Sequence, residues 1–335
     1  MTNLTTTLCR TLGITHPVVL APVSTSAALV AAVSNAGGLG ILQATWLGAE
    51  TLGRTIADIQ RLTDRPFGVN FVIPLMDDDS LDVALGAGVP IVSTFWGDPA
   101  PVIPRIHDAG ALALHTVGSA EEARRVVDAG VDVVVAQGVE AGGHVWGEVA
   151  TMVLVPAVVD AVPDIPVIAA GGIADGRGLA AVLALGAGAA WAGTRFLLAR
   201  EATAHPAYRE RIQIANETDT VLSSVFDIGW PDAPHRCLMN DTLQAWHAAG
   251  KPSPSSRPNE GEVIARDADG NPLQRYSMND PLDGTTGNVT SMAMYAGQSA
   301  GLVREAKPAA EIVADMVAEA GDILSRLAQA RRSER

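Results

Sequence analysis

The chain has 335 residues, of which 48% are apolar and 18% charged, and a formal net charge of −14. That length supports one large core with an added subdomain, or two small domains. The charge excludes non-specific binding to nucleic acid or an anionic membrane surface, because phosphates would be repelled.

The first 200 residues repeat one unit. A short run of Val, Ile, Leu and Ala ends in Gly or a polar residue, and an Ala-rich helical pattern follows. Predicted strands fall at 18–21, 40–43, 67–71, 91–94, 111–116, 131–137, 167–170 and 189–193. Predicted helices fall between them at 26–36, 51–62, 79–86, 99–108, 119–128, 152–161 and 177–185, and 205–216 reads as the eighth. Ser119 with Glu121 and Glu122 forms a good helix start. Gly37, Gly86, Gly110, Gly130 and Gly186 fit left-handed C-terminal caps. Apolar strands alternating with helices imply a parallel sheet covered by helices. Eight such units imply a (β/α)₈ TIM barrel of the α/β class, preferred over an open doubly wound sheet.

Beyond residue 200 the rhythm breaks. Residues 218–290 are rich in Asp, Pro, Asn, Gly and Ser and read as a loop-rich insertion near the mouth. The barrel domain is expected to comprise 1–217 and 291–335, closed by an amphipathic helix over 308–330. Arg331, Arg332 and Arg335 suit that helix's C-terminus. Cys9 and Cys237 lack metal-like spacing and point to a reducing cytoplasm. Residues 1–12 carry no apolar signal core, and the apolar stretch 178–193 reads as helix plus strand, not a membrane span.

Reacting groups of such barrels sit at strand C-termini. Strand seven ends in Ala170-Gly171-Gly172 and strand eight in Trp191-Ala192-Gly193-Thr194. Paired glycines let backbone N–H groups approach an anion, and Thr194 adds a hydroxyl donor, so these turns read as a phosphate site or as tight βα turns. Strand six runs into Gln137-Gly138-Val139-Glu140-Ala141-Gly142-Gly143-His144. His144 can act as general base or as hydrogen-bond donor, against the plainer reading of a surface histidine. Strand one ends in Ala21-Pro22-Val23-Ser24, where Ser24 can cap the next helix. Asn70 ends strand three with an amide that both donates and accepts. His16, His205 and His235 each adjoin a proline and read as turn residues, and His115 reads as packing.

The chain resembles the nitronate monooxygenases, formerly 2-nitropropane dioxygenases, at 20–23, 34–40, 67–71, 137–144, 169–175, 193–196 and 296–301. The resemblance implies an FMN-dependent barrel. It implies that Ala21, Pro22 and Val23 lie along the flavin ring and that Asn70 and Gln137 bond its polar edge. By the same likeness Gly142, Gly171, Gly172, Trp191, Gly193 and Thr194 hold the phosphate or line the flavin pocket. His144 matches the active-site histidine, and Ser24, Gln298 and Ser299 stand near the substrate. Three positions depart from the pattern. Val23 stands where Met is common, and Trp191 where Gln often begins the Gly-Thr motif. The end of strand five, from His115 to Ser119, lacks the Lys of one branch.

The expected activity is oxidation of an alkyl nitronate, such as propionate 3-nitronate, by O₂ to a carbonyl compound and nitrite. The expected partners are therefore a small-molecule substrate and O₂, with a homodimer open. Rivals are an NAD(P)H-dependent flavin reductase of an enoyl thioester or quinone, a specialised flavin oxygenase, and a non-catalytic flavin-binding barrel.

Overall fold

The computed structural model describes residues 4–333, with side chains as far as 330. Eight apolar runs form one parallel sheet: β1 (Val18–Leu20), β2 (Gly40–Gln43), β3 (Phe67–Val72), β4 (Ile91–Phe95), β5 (Leu112–Val117), β6 (Val133–Gln137), β7 (Val167–Ala170) and β8 (Ala189–Ala192). Their order is β1-β8-β7-β6-β5-β4-β3-β2. The ring closes where Val19 bridges Leu39, with Leu20 N–H donating to Leu39 O at 2.9 Å and Leu39 N–H to Val18 O at 3.0 Å.

Each strand is buried on both faces, and side chains alternate between them. Val19, Ile41, Ile91, Leu114, Val135 and Ile168 fill the barrel interior. Val18, Leu42, Val69, Val92, Val134 and Ala169 face the surrounding helices. The short helix Thr7–Leu12 plugs the bottom: Leu8 packs so close to Gly188 that a Cβ there would lie 2.7 Å from Leu8 Cβ.

The helical layer is α1 (Ala27–Asn35), α2 (Gly48–Leu62), α3 (Asp78–Gly86), α4 (Ile103–Asp108), α5 (Ala120–Asp128), α6 (Thr151–Ala161), α7 (Gly176–Ala184) and α8 (Ala309–Ser333). Ser26, Asp77, Ser119 and Asp175 cap α1, α3, α5 and α7 by accepting first-turn N–H bonds. Gly37, Gly110, Gly130 and Gly186 take positive φ just past their helices. After α3 that place belongs to Gly88, not Gly86.

The eighth barrel helix is α8. Its Ile312, Val313, Met316 and Ala320 join the core cluster between sheet and helices. It crosses α7 at Gly176, where a Cβ would lie 2.6 Å from Ala320 N, and Glu319 accepts the Gly176 N–H at 2.8 Å. The segment expected there, Pro206–Ile214, instead buries Tyr208 and Ile212 among Leu238, Met294 and Ala296 above the mouth. Adjacency in sequence to β8 misleads, because the short helix Thr194–Leu197 turns the chain over the barrel first. The side chains of Arg331 and Arg332, and all of Arg335, lie outside the described residues.

Residues 218–290 hold more regular structure than their composition predicts. Thr220–Ser223 pairs antiparallel with His235–Leu238, which pairs in turn with Gly143–His144. Val263–Arg266 pairs with Pro272–Gln274 and Thr286–Gly287 in a second small sheet. Helix Asp241–Ala248 packs nearby, capped by Asn240.

Candidate active site at the barrel mouth

A cavity of about 420 Å³ opens at the C-terminal strand ends. This volume falls in the range of pockets that enclose a small ligand. Ala21, Pro22 and Val23 line it from the β1 loop, and Asn70 and Gln137 from the ends of β3 and β6. Gly142 and His144 line it beyond β6, and Gly171 and Gly172 beyond β7. Trp191, Gly193 and Thr194 line it at β8, and Ser299 at its edge. Ser24 and Gln298 do not. Ser24 is buried, its hydroxyl 3.2 Å from Thr203 Oγ1 while accepting the Ser26 N–H at 3.1 Å. Gln298 is exposed and ties its N–H to Glu140 O at 3.0 Å.

One end of the cavity suits an anion. Gly171 and Gly172 have φ of +105° and +72°, a backbone that L side chains rarely adopt. Gly193 sits where a Cβ would be 3.2 Å from Val23 Cγ1, so the β8 and β1 loops approach closely. Thr194 Oγ1 accepts the Gly297 N–H at 3.0 Å, which leaves its own proton to donate. Asn70 Nδ2 donates to Ser93 Oγ at 3.1 Å and to Ser93 O at 3.4 Å, and its amide oxygen remains for a ligand.

The loop bearing His144 is locked from several sides. Gln137 donates from Nε2 to His144 O at 3.1 Å and accepts the Trp146 N–H at 3.1 Å. Arg236 donates to Val139 O at 2.9 and 3.2 Å. Glu140 accepts from the Thr151 N–H and hydroxyl at the start of α6. Gly142 abuts Gly297 so tightly that a Cβ would lie 2.3 Å from its N. His144 stacks on Trp230 with ring centroids 4.0 Å apart at 23°, and its Nε2 is buried without a hydrogen-bond partner. Burial, with a smaller push from His235, lowers its pKa to about 3. The ring is therefore neutral, with one nitrogen left without a protein partner. An orphaned buried polar atom costs about 1–3 kcal/mol, so it signals a ligand that satisfies it.

Other residues here escaped the reading of strand ends for polar groups. His235 is a buried strand residue opposite His144, not a turn residue. It lies 2.9 Å from Ala233 O through Nδ1 and accepts the Phe226 N–H at Nε2, so it is neutral with its proton on Nδ1, and burial lowers its pKa to about 4. His115 is buried and bonded to Thr94 on the outward face of the sheet that carries Ala113 and Val117, in keeping with packing. Trp46 and Phe95 line the mouth just beyond β2 and at the end of β4. Aromatic residues are 4% of the chain, so their presence at strand ends was a usable signal. Trp230, Tyr208 and Asp280 line the cavity from segments whose composition gave no such signal. Burial pushes the Asp280 carboxyl up to about 6.

A closed parallel barrel with a glycine-edged cavity at its strand C-termini is the architecture of a cofactor-dependent barrel enzyme. The nitronate monooxygenase family model matches residues 5–81 and 73–319, and the chain belongs to that family of flavin-dependent oxidoreductases. A relative from Mycobacterium tuberculosis, (3aS,4S,5R,7aS)-5-hydroxy-7a-methyl-1-oxo-octahydro-1H-indene-4-carboxyl-CoA dehydrogenase, is 40% identical over 72% of this chain and 68% of its own. FabK from Thermotoga maritima superposes with a TM-score of 0.84 at 35% identity, covering 97% of this chain and 98% of that one. Nitroalkane oxidase from Streptomyces ansochromogenes superposes with a TM-score of 0.77 at 32% identity, covering 95% and 99%. Among the described residues no helix is long and apolar enough to cross a membrane.

Proposed function

We propose that the flavin is FMN and that the enzyme oxidises alkyl nitronates with O₂ to a carbonyl compound and nitrite. The buried, unpartnered Nε2 of neutral His144, a residue that lines the cavity, carries this reading. The residues present fit FMN. Gly171, Gly172 and Thr194 suit its phosphate, and Ala21, Pro22, Val23 and Trp191 give an apolar bed for its ring. Asn70 keeps its amide oxygen and Gln137 one amide N–H for the ring's polar edge. When bound, FMN supplies the electron sink and the path of electrons to O₂.

His144 works as a neutral N–H donor to the nitro oxygens. A ring whose pKa is held at about 3 is a weak proton acceptor, which favours a substrate that arrives already ionised. The donor is fixed before the substrate enters, because Gln137, Arg236 and Gly142 hold the loop and Trp230 holds the ring. Such a preset hydrogen bond costs no reorganisation during the reaction. Replacing His144 by Ala is expected to lower kcat/KM for ethyl nitronate by about 10²-fold, the cost of removing one preset donor. The flavin's visible spectrum should persist. Wild-type turnover in that variant would overturn the assignment.

A second reading, dehydrogenation of an acyl thioester, is supported by the activity named for the Mycobacterium tuberculosis relative. A thioester carbonyl would use the same donor. Anaerobic bleaching of the flavin by an acyl-CoA, without nitrite release from nitronates in air, would establish it. Bleaching by NADH or NADPH would instead mark a reductase.

A further inference from the structure

Resting on the nitronate reading, we propose that Asp280 sets the substrate class: the cavity takes nitro compounds whose tails are neutral or bear a hydroxyl, and rejects tails that bear a carboxylate. Propionate 3-nitronate is then a poor substrate despite the family resemblance.

Asp280 sits on a strap across the mouth that is anchored along its length. Met278 N–H donates to Ile228 O at 3.1 Å, His205 N–H to Pro281 O at 3.1 Å, and Asp283 N–H to Thr203 O at 2.8 Å. Tyr295 donates its hydroxyl to Met278 O at 2.7 Å. The carboxyl is thus held over the cavity, not carried on a free loop tip.

Among the described residues lining the cavity, Asp280 is the one carboxylic acid, and no Lys or Arg accompanies it. The phenols of Tyr208 and Tyr295 lie within its field, and burial raises their pKa values so that both stay neutral. Neither phenol can donate to it. The single Tyr208 proton goes to Tyr295 O, and the single Tyr295 proton goes to Met278 O. Its own backbone N–H is the donor it has. Asp280 is half-buried at the edge of the cavity, so its carboxylate can accept a hydrogen bond from a ligand hydroxyl. A carboxylate on the substrate tail would bring a like charge beside Asp280, with no Lys or Arg lining the cavity to offset either. With its pKa pushed up to about 6, Asp280 is ionised under mildly alkaline assay conditions.

The test uses FMN holoenzyme of the wild type, Asp280→Asn and Asp280→Glu at mildly alkaline pH, with nitroethane, 2-nitroethanol and 3-nitropropionate. Freshly dissolved neutral nitro groups ionise slowly, so they give Kd through tryptophan quenching. The preformed nitronates give kcat/KM through nitrite release. Wild type and Asp280→Glu should favour 2-nitroethanol over 3-nitropropionate in both measurements. Asp280→Asn should narrow that ratio by at least about tenfold, in Kd and KM more than in kcat. An unchanged ratio in Asp280→Asn, or wild-type binding of 3-nitropropionate as tight as that of 2-nitroethanol, overturns the proposal. Discrimination in binding with no nitrite from any compound overturns the nitronate reading and leaves the role of Asp280 standing.

Discussion

The cavity has two halves of different origin. Its floor is the ends of β1, β3, β6, β7 and β8, each fixed by hydrogen-bonded neighbours on both sides. Its roof comes from Trp230, the 278–282 strap and Tyr295, drawn from one insertion and the segment after it. The floor carries the small residues and backbone that suit a cofactor. The roof carries Trp230, Tyr295 and the lone carboxyl of Asp280. One side can therefore change ligand preference without disturbing the other, as expected where loops vary on a rigid scaffold.

Acid should test whether the halves fail together. His115 lies between the barrel sheet and its helices, while His144 and His235 lie under the roof, and burial lowers their pKa values from 6.5 to about 4, about 3 and about 4. Unfolded, these rings take protons below pH 6.5, and folded they refuse them. Stability is therefore full above about pH 6.5 and falls as the pH drops toward the folded values. Each costs about 2 kcal/mol by pH 5. Asp280 acts in the opposite sense below about 6, since the folded state takes a proton that the unfolded carboxyl, at 3.8, does not. It returns about 1 kcal/mol at pH 5. Urea midpoints should drop steeply between pH 7 and 5, and flat midpoints would refute the burial of these rings. The next largest effect is expected from Gly142→Val. Its Cβ would lie 2.3 Å from Gly297 N, forcing the two halves apart. A loss of about 3 kcal/mol or more in chemical denaturation should follow, together with loss of bound flavin.

The floor was legible because its signals are local. A β-branched run, a glycine pair and a helix cap lie within ten residues of one another, and barrel geometry brings such ends together without further information. Gln137 through His144 was legible for the same reason. The roof was not. His235 beside Pro234 reads as a turn until its strand finds Gly143–His144, and that pairing spans 91 residues. Asp280 lies between Asn279 and Pro281, a turn signal that conceals a strap whose backbone is held by Thr203 at Asp283 and by Tyr295 at Met278. The eighth helix was misassigned because α8 returns from more than 100 residues away to fill the gap between α7 and α1.

Trp230 tests whether the roof tunes His144 or merely covers it. In Trp230→Leu the 4.0 Å stack is lost and water reaches the imidazole. The His144 pKa should climb from about 3 toward 6.5, followed by NMR titration of its ring protons, with a stability loss of about 2 kcal/mol. A pKa left near 3 would show that the rest of the site excludes water by itself.

Thr194 is the point where the two halves touch, and removing its hydroxyl gives the smallest effect but the cleanest separation. Thr194→Val keeps the volume while taking away both the acceptor for the Gly297 N–H and the proton left for a phosphate. If the hydroxyl serves both, the apoprotein loses about 1 kcal/mol and FMN binds about tenfold more weakly, while Thr194→Ser restores both values. A stability loss with unchanged FMN affinity would assign the hydroxyl to the loop contact alone. The phosphate would then rest on the backbone of Gly171 and Gly172, where the positive φ values already leave room for it.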